Sequence, residues 1–146
     1  MSTTNYKNIN AYIRSATGEE ESVARQIEDI ENYCNEHFPG LPISWFIDRN
    51  YSGLSPVNDR PAYMEMCRAI QPDEPSICIV KNLSKISINN IELARAIDGL
   101  IKNNVSICTT LGILTPLFLD FIRYIACMPN QRDILEDLRN STRKEI

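Results

Sequence analysis

The sequence predicts an α/β fold in three layers, with a mostly parallel central sheet of four or five strands and helices at the carboxyl end of the chain. Short apolar segments of strand length alternate with longer segments in which apolar residues recur at helical spacing. The run from Ile77 to Val80 is apolar throughout, which is typical of a strand buried on both faces in a parallel sheet. A chain of 146 residues is long enough to bury one core of this kind.

The first half of the chain is predicted to hold two strands and two helices. Apolar residues at 23, 27, 30 and 34 recur at helical spacing, and Pro39-Gly40 then ends the helix. Pro61 favours the start of the second helix, because proline suits the first helical position. In chain order we expect a strand over 9–14, a helix over 19–38, a strand over 43–47, a polar loop over 48–60 and a helix over 61–70.

The second half continues the alternation and then changes character. Asn89 or Asn90 is predicted to cap a helix that reaches Lys102, with its inward face formed by apolar side chains. The segment 115–128 reads as a helix that is apolar on nearly every face, so it must be buried by this domain or by another subunit. We also expect strands over 76–80 and 105–108. Pro129 should break the apolar helix, and a charged helix over 130–146 should follow, with Ile134, Leu135 and Leu138 as its apolar positions. The chain is thus predicted to divide into an α/β unit over 1–113 and a helical segment over 114–146.

Composition limits the classes of function. The formal net charge is -4 and there is no run of Lys or Arg, so tight DNA binding by this chain alone is not expected. The five cysteines form no CxxC pair and His37 is the single histidine, so the sequence predicts no zinc site, no other metal and no cofactor. Reduced thiols and the lack of an apolar run that could cross a membrane favour a cytoplasmic protein.

Several polar residues stand in a recognisable order. Tyr12 and Arg14 end the first predicted strand, Gln26 lies on the first helix, and the loop before the second helix contains Asp48, Ser52-Gly53 and Asp59-Arg60-Pro61. In order and spacing this pattern resembles the catalytic domain of the serine recombinases, the resolvase/invertase family, over about residues 9–140.

The resemblance implies a resolvase-like fold and DNA strand exchange, in which a serine attacks a DNA phosphate. It also implies that Arg14 and Arg60 bind that phosphate and that Gln26 helps to orient the site. Arginine suits the role, because its planar fork binds phosphate through two parallel hydrogen bonds. Taken singly, Arg14 could be an ordinary surface arginine at a strand end; the joint match argues against that.

The chain departs from the family at the nucleophile. The family pattern is Tyr-x-Arg-x-Ser, and Ala16 stands at the serine position, where it offers no oxygen. Farther on, the family has a Leu-Asp-Arg-Leu-x-Arg stretch, and residues 80–88 occupy its place. There Ser84 replaces the acid, Lys85 keeps a positive charge without the fork, and Ile88 replaces the second arginine. The sequence therefore predicts impaired catalysis.

Two alternatives to an inactive site stay open. Ser15 could act as a nucleophile shifted by one residue, with Thr17 a weaker candidate, although successive strand residues point to opposite faces and should turn Ser15 away. Lys85 and Lys81 could contact a phosphate or be solvated lysines at a strand end. A further reading is an α/β interaction domain with no link to DNA.

The apolar helix near the carboxyl end gives a prediction about partners. In the family a long helix at this place forms the dimer, which here assigns Phe118, Phe121, Ile122 and Ile125 to an interface. Pro129 is a departure, because it should interrupt a long helix. We expect a homodimer or a hetero-oligomer with a related recombinase, weak contact with DNA that needs another domain or chain, and no membrane partner.

Overall fold

The structure is a computed structural model that describes residues 5–127. The expectations of a helix ending at Met128, a break at Pro129 and a charged helix over 130–146 concern residues outside that range. The strands and helices in chain order are β1 (Ile9–Ser15), α1 (Glu20–His37), β2 (Ile43–Arg49), α2 (Pro61–Ala69), β3 (Ser76–Val80), α3 (Asn90–Lys102), β4 (Val105–Thr109), β5 (Gly112–Ile113) and α4 (Pro116–Ala126), with short 3-10 turns at Val57–Asp59 and Leu83–Lys85.

The sheet has the order β2-β1-β3-β4-β5, so β1 lies between β2 and β3. The first four strands are parallel, and the two-residue β5 pairs antiparallel with β4. This confirms the predicted α/β fold with a mostly parallel sheet. Because β1, β2 and β3 run in one direction, their carboxyl ends meet at one edge, where Arg14, Asp48 and Lys81 end or follow the strands.

Helices cover both faces of the sheet, which gives the three layers. On one face, Ile9, Ala11 and Ile13 of β1 pack with buried residues of α1. On the other face, Tyr12 packs with residues of α2 and α3. Since strand residues alternate between faces, Arg14 shares the α2–α3 side with Tyr12, while Ser15 lies on the α1 side. This alternation decides which polar groups can meet at the strand ends.

Local signals in the sequence place the first residues of α2, α3 and α4. Asn89 caps α3 by accepting the Glu92 amide at 3.0 Å, which settles the choice between Asn89 and Asn90. Thr115 caps α4 by accepting the Phe118 amide at 3.3 Å, and Pro61 is the first residue of α2. Both caps remove one of the unpaired amides that begin a helix.

Some details differ from the sequence-based expectations. β1 and β2 extend beyond their predicted ends, because they pair with each other over seven residues each. β5 and the two 3-10 turns were not predicted, since segments of two or three residues carry too little periodicity. Gln26 is buried on α1 whereas Ile27 is half-buried, so a polar side chain occupies part of the predicted apolar stripe. Among the helices of residues 5–127, none is long and apolar enough to cross a membrane.

Candidate functional site

The candidate site lies at the carboxyl edge of the sheet, beside β1. The chain passes from β1 to β2 on one side and returns to β3 on the other side, so the connections diverge at this point. Open α/β sheets bind ligands at such a divergence. Two segments cover the edge here, the loop over 50–60 and the segment over 83–88, which we call the 83–88 segment.

Arg14 is held by backbone carbonyls. Its Nε donates to the Lys85 oxygen at 3.2 Å, its Nη1 to the Tyr51 oxygen at 2.9 Å, and its Nη2 to the Ser84 oxygen at 3.0 Å. The residue is 6% exposed. The guanidinium therefore ties β1 to both covering segments.

Arg60 is held in the same way and is more deeply buried, with 0% of its surface exposed. Its Nη1 donates to the oxygens of Lys85 at 3.2 Å and Ile86 at 2.6 Å. Its Nη2 donates to the oxygens of Ser55 at 2.9 Å and Gly53 at 3.5 Å. All four terminal N–H groups thus have carbonyl acceptors, while Nε has no hydrogen-bond partner among the described residues.

The two arginines meet at one atom, the Lys85 carbonyl oxygen. Burial, and then the positive charge of Arg60, lowers the pKa of Arg14. Partial burial, followed by the charges of Arg14 and Lys81, likewise lowers the pKa of Lys85. Within residues 5–127 the one buried carboxylate is Asp48, so positive charge predominates at this edge of the sheet.

Asp48 does not pair with either arginine. One of its oxygens accepts the Tyr12 hydroxyl at 2.9 Å and the Tyr63 amide at 3.0 Å, and the other accepts the Ala62 amide at 2.9 Å. These two amides begin α2, where Arg60 stands at the cap position without a side-chain cap. Asp48 on β2 thus caps α2 from a distance, and negative charge is favourable there. Burial raises the pKa of Tyr12, which keeps its phenol protonated as the donor.

The nucleophile position is open to solvent and carries no hydroxyl. Ala16 is exposed, directly after β1. Ser15 is 2% exposed, lies on the α1 side, and donates its hydroxyl to the Thr17 carbonyl. Thr17 itself is exposed in the turn that follows.

Gln26 approaches β1 from the α1 side. Its Nε2 donates to the Arg14 carbonyl oxygen at 3.1 Å, so it holds the backbone of Arg14 and not the guanidinium. Its buried Oε1 has no partner among the described residues. With the side chains of Lys81 and Lys85 it lines a cavity of about 380 Å³. Lys81 forms an ion pair with Asp29 on α1.

The structure therefore brings together Arg14, Arg60 and the backbone of Lys85, and places Gln26 and Ser15 on the other side of β1. The carbonyl acceptors could not be predicted from the sequence, because any residue supplies a backbone carbonyl. Nor did it show that Glu92 on α3 accepts the Val57 amide at 2.8 Å and so fixes the loop that leads to Arg60.

The four residues assigned to an interface separate into two pairs. Phe118 is 38% exposed and Phe121 is 57% exposed. Ile122 is 3% exposed and belongs to the core, and Ile125 is half-buried against the same core. Ile122 and Ile125 thus hold α4 on the domain, since α4 packs on α3. Exposed apolar residues near Phe118 and Phe121 are Leu111, Ile113, Leu117 and Tyr124.

A family model identifies the family of this chain, and solved structures share its fold. The family model described as "Resolvase, N terminal domain" matches residues 9–116. No curated protein matches the chain. The N-terminal catalytic domain of TP901-1 integrase is similar in structure, with a TM-score of 0.71 and 18% identity, over 91% of this chain and 99% of that one.

Two other solved structures are also similar. A resolvase family site-specific recombinase from Streptococcus pneumoniae has a TM-score of 0.62 and 15% identity, over 94% of this chain and 95% of its own. The C-terminal catalytic domain of ISC1926 TnpA, an IS607-like serine recombinase, has a TM-score of 0.58 and 14% identity, over 90% of this chain and 77% of its own. At these identities the similarity shows a shared fold.

Proposed function

Since this chain belongs to the resolvase N-terminal domain family of serine recombinase catalytic domains, we propose that it is a member that does not cut DNA itself and acts by pairing with another recombinase-type domain. The partner is a second copy or an active relative. Contact with DNA is weak in the chain alone, because its net charge is -4. The five free thiols in the described range suit a reducing compartment, so we place its action in the cytoplasm.

The observation that carries the proposal is the end of β1. Ala16 has no oxygen with which to attack phosphorus, and it is exposed where the family serine stands. The neighbouring Ser15 hydroxyl is buried and already donates to Thr17. To act as a nucleophile, Ser15 would have to leave that bond and rotate to the other side of the strand.

The arginines support the same conclusion. An attack on phosphate needs donors aimed at the charge that develops in the transition state. The terminal N–H groups of Arg60 all donate to backbone carbonyls, and three nitrogens of Arg14 also donate to backbone carbonyls. Lys85 supplies a charge but no fork, and Ile88 supplies neither.

The surface of α4 supports pairing. Leu117, Phe121 and Tyr124 follow a spacing of four and three residues, so they share one face of the helix, and all three are exposed. Phe118 continues this surface into an apolar groove that Leu111 and Ile113 also line. Contiguous exposed apolar patches of this kind mark interaction sites.

The test is a search for the covalent intermediate. The chain is incubated with end-labelled DNA from both sides of its own coding sequence, denatured, and examined for a protein-linked label, with an active serine recombinase on its own site as the positive control. We expect no adduct from the wild type or from Ser15→Ala. An adduct in the wild type that is lost in Ser15→Ala would overturn the proposal and establish Ser15 as the nucleophile.

Pairing is tested separately, by sedimentation velocity of the chain alone and of the chain mixed with a catalytically active recombinase from the same cell. We expect a complex in at least one of the two samples. If the chain is a monomer in both samples, the proposed pairing is wrong, and the alternative that remains is an isolated α/β domain.

A further inference from the structure

The oxygen on which Arg14 and Arg60 converge belongs to the protein itself. The Nε of Arg14, on β1, and the Nη1 of Arg60, just before α2, each donate to the Lys85 carbonyl oxygen at 3.2 Å. The arginine fork matches the oxygens of phosphate and carboxylate, so two guanidinium groups directed at one oxygen suit an oxyanion. We infer that the Lys85 carbonyl occupies the place of an anion's oxygen, so that the 83–88 segment is an internal plug that competes with anions for both arginines.

The charge balance of the site favours replacement of the carbonyl by an anion. The two buried guanidinium groups carry two positive charges, whereas the single buried carboxylate in the described range, that of Asp48, accepts from Tyr12 and from two amides of α2. No ion pair of Arg14 or Arg60 with a carboxylate occurs among the described residues, and backbone carbonyls are the main acceptors of both guanidinium groups. A charged acceptor forms hydrogen bonds that are roughly twice as strong as those of a neutral one.

The contacts that hold the plug lie outside the strand pairings of the sheet. Its end is tied by the Ile88 amide, which donates to the Gly53 oxygen at 3.2 Å, and its middle is anchored by the fully buried Ile86. Ile88 itself is 52% exposed. The segment contributes no strand to the sheet, so opening it exposes the two arginines and leaves every strand pairing in place.

Competition also accounts for the occupied donors of Arg60. An anion cannot reach the Nη1 of Arg60 while the Lys85 and Ile86 oxygens accept from it. An anion that binds here must therefore select the open state of the 83–88 segment, and its affinity is reduced by the fraction of molecules that are closed. This competition does not depend on whether the chain cleaves DNA or forms a dimer.

The experiment is amide hydrogen exchange of the whole chain with inorganic phosphate as the probe, against sodium chloride of the same ionic strength. Phosphate that binds only the open state raises the open population by a factor of one plus its concentration divided by its dissociation constant. At a phosphate concentration ten times that dissociation constant, we expect the exchange rates of the Ile86 and Ile88 amides to rise about tenfold. The amide of Ile13 in β1 is the internal control and should not accelerate. Chloride should have a much smaller effect, because it carries one charge on a single acceptor atom, whereas phosphate offers several oxygens to the two forks.

Two variants make the test independent of folding problems. Ile88→Ala loosens the plug at a half-exposed position and should tighten phosphate binding by roughly three- to tenfold, because fewer molecules are closed. Ile27→Ala removes the same atoms from a half-buried position on α1, on the far side of the sheet, and should leave phosphate affinity unchanged. Arg14→Lys, checked for folding by circular dichroism, should abolish the response to phosphate.

Three results would overturn the plug. The first is phosphate binding that leaves the Ile86 and Ile88 amides unchanged or slows their exchange, which would mean that the anion binds beside a closed segment. The second is the absence of any phosphate binding in both the wild type and Ile88→Ala. The third is an equal affinity for phosphate in Ile88→Ala and Ile27→Ala. None of these results bears on the covalent adduct, so failure of the plug and failure of the proposed function are distinguishable.

Discussion

The hydroxyl of Tyr12 donates a 2.9 Å hydrogen bond to the carboxylate of Asp48, within the buried side of the sheet. The two residues lie on neighbouring strands, two positions apart in register, because Tyr12 pairs with Phe46. The same carboxylate caps α2, whose cap residue is Arg60. Tyr12 therefore supports the position of Arg60 through Asp48, which is a structural role for a tyrosine that the sequence pattern associates with catalysis.

Removing the Tyr12 hydroxyl tests this chain of contacts. Tyr12→Phe keeps the buried ring and its edge-to-face contact with Tyr63, and we expect it to lower the free energy of unfolding by about 1 kcal/mol. Asp48→Asn should cost more, about 1–3 kcal/mol, because it weakens a charged cap as well. Urea denaturation of both variants and of the double variant measures the coupling. A double variant whose loss equals the sum of the single losses would contradict a direct interaction.

The close approach of Gly53 to the arginine site gives a second prediction. A Cβ at Gly53 would lie 2.8 Å from Ile88 Cγ2 and 3.0 Å from Arg14 Nη2, so Gly53→Ala must displace one of them. We expect a loss of about 1–3 kcal/mol in the free energy of unfolding, as is usual for overpacking.

Gly18→Ala is the matched control for that variant. Its Cβ would meet the side chain of Asn50, an exposed residue that can move aside, at 3.1 Å. We expect a change within about 0.5 kcal/mol. Adding Ile88→Ala to Gly53→Ala should recover part of the lost stability, because it removes the Ile88 Cγ2 atom that the new Cβ would meet. No recovery would show that the strain does not arise from the contact with Ile88.

Buried thiols predict loss of stability in alkali. Burial raises the pKa of Cys34 to about 11 and that of Cys108 to about 11. Since the unfolded chain releases these protons at lower pH, the folded state keeps its full stability below the unfolded pKa of about 8.5 and loses it as pH rises toward 11. Over that window each thiol lowers the free energy of unfolding by at most about 1.4 kcal/mol per pH unit.

The measurement is the urea midpoint of the chain from pH 8 to pH 10.5, with Cys34→Ala beside the wild type. Cys34→Ala will be less stable at neutral pH, but its stability should fall less steeply with pH. An equal slope in both proteins would show that the Cys34 thiol does not stay protonated in the folded state.

The exposed face of α4 gives a prediction for self-association. Phe121→Glu puts a charge into the apolar surface at a position that is 57% exposed, so it should weaken the proposed homodimer at least tenfold with little effect on folding. Leu54→Glu changes an exposed apolar residue in the loop over 50–60, and the dimer should tolerate it. Sedimentation equilibrium measures the dissociation constant of both variants. Equal weakening of self-association in both would show a general effect of added charge and not a specific interface on α4.

Restoring the hydroxyl at the nucleophile position should not restore cleavage. Ala16→Ser places an oxygen at the exposed end of β1, but a phosphate must first displace the carbonyls that occupy the Arg60 terminal donors, and Ile88 provides no charge. In the adduct assay we expect no labelled protein from this variant. If Ala16→Ser alone forms an adduct, the missing serine is the sole reason that the chain does not cleave DNA, and Arg14 and Arg60 can still bind the phosphate.

The sequence predicted the sheet and its helices because their signals are local. The apolar run of β3, the proline at the start of α2 and the asparagine before α3 each act within a few residues. The site was only partly predictable. Residue types at the right spacing brought Arg14 and Arg60 to one edge. The acceptors that Arg14 uses, however, lie in loops 37, 70 and 71 residues farther along the chain.

The prediction that Ser15 turns away rests on the alternation of strand residues; in the structure the Ser15 side chain is buried and its hydroxyl donates to the Thr17 carbonyl. The role of Asp48 as a remote cap could not be predicted, because a cap normally lies next to its helix in the chain. Nor did the pattern distinguish Phe118 and Phe121 from Ile122 and Ile125, since a helix that is apolar on every side does not reveal which side meets the core.

The position of β1 between β2 and β3 has a consequence for synthesis on the ribosome. When residues 1–75 have emerged, β1 can pair with β2, but its other edge has no neighbour until β3 is made. At that stage Arg60 also lacks the Lys85 and Ile86 oxygens that accept from its Nη1. We therefore expect the nascent chain to remain without a settled fold until the 83–88 segment leaves the exit tunnel. At that point β3 can pair with β1 and the carbonyls that accept from both arginines are present, whereas β4 and β5 join the sheet later.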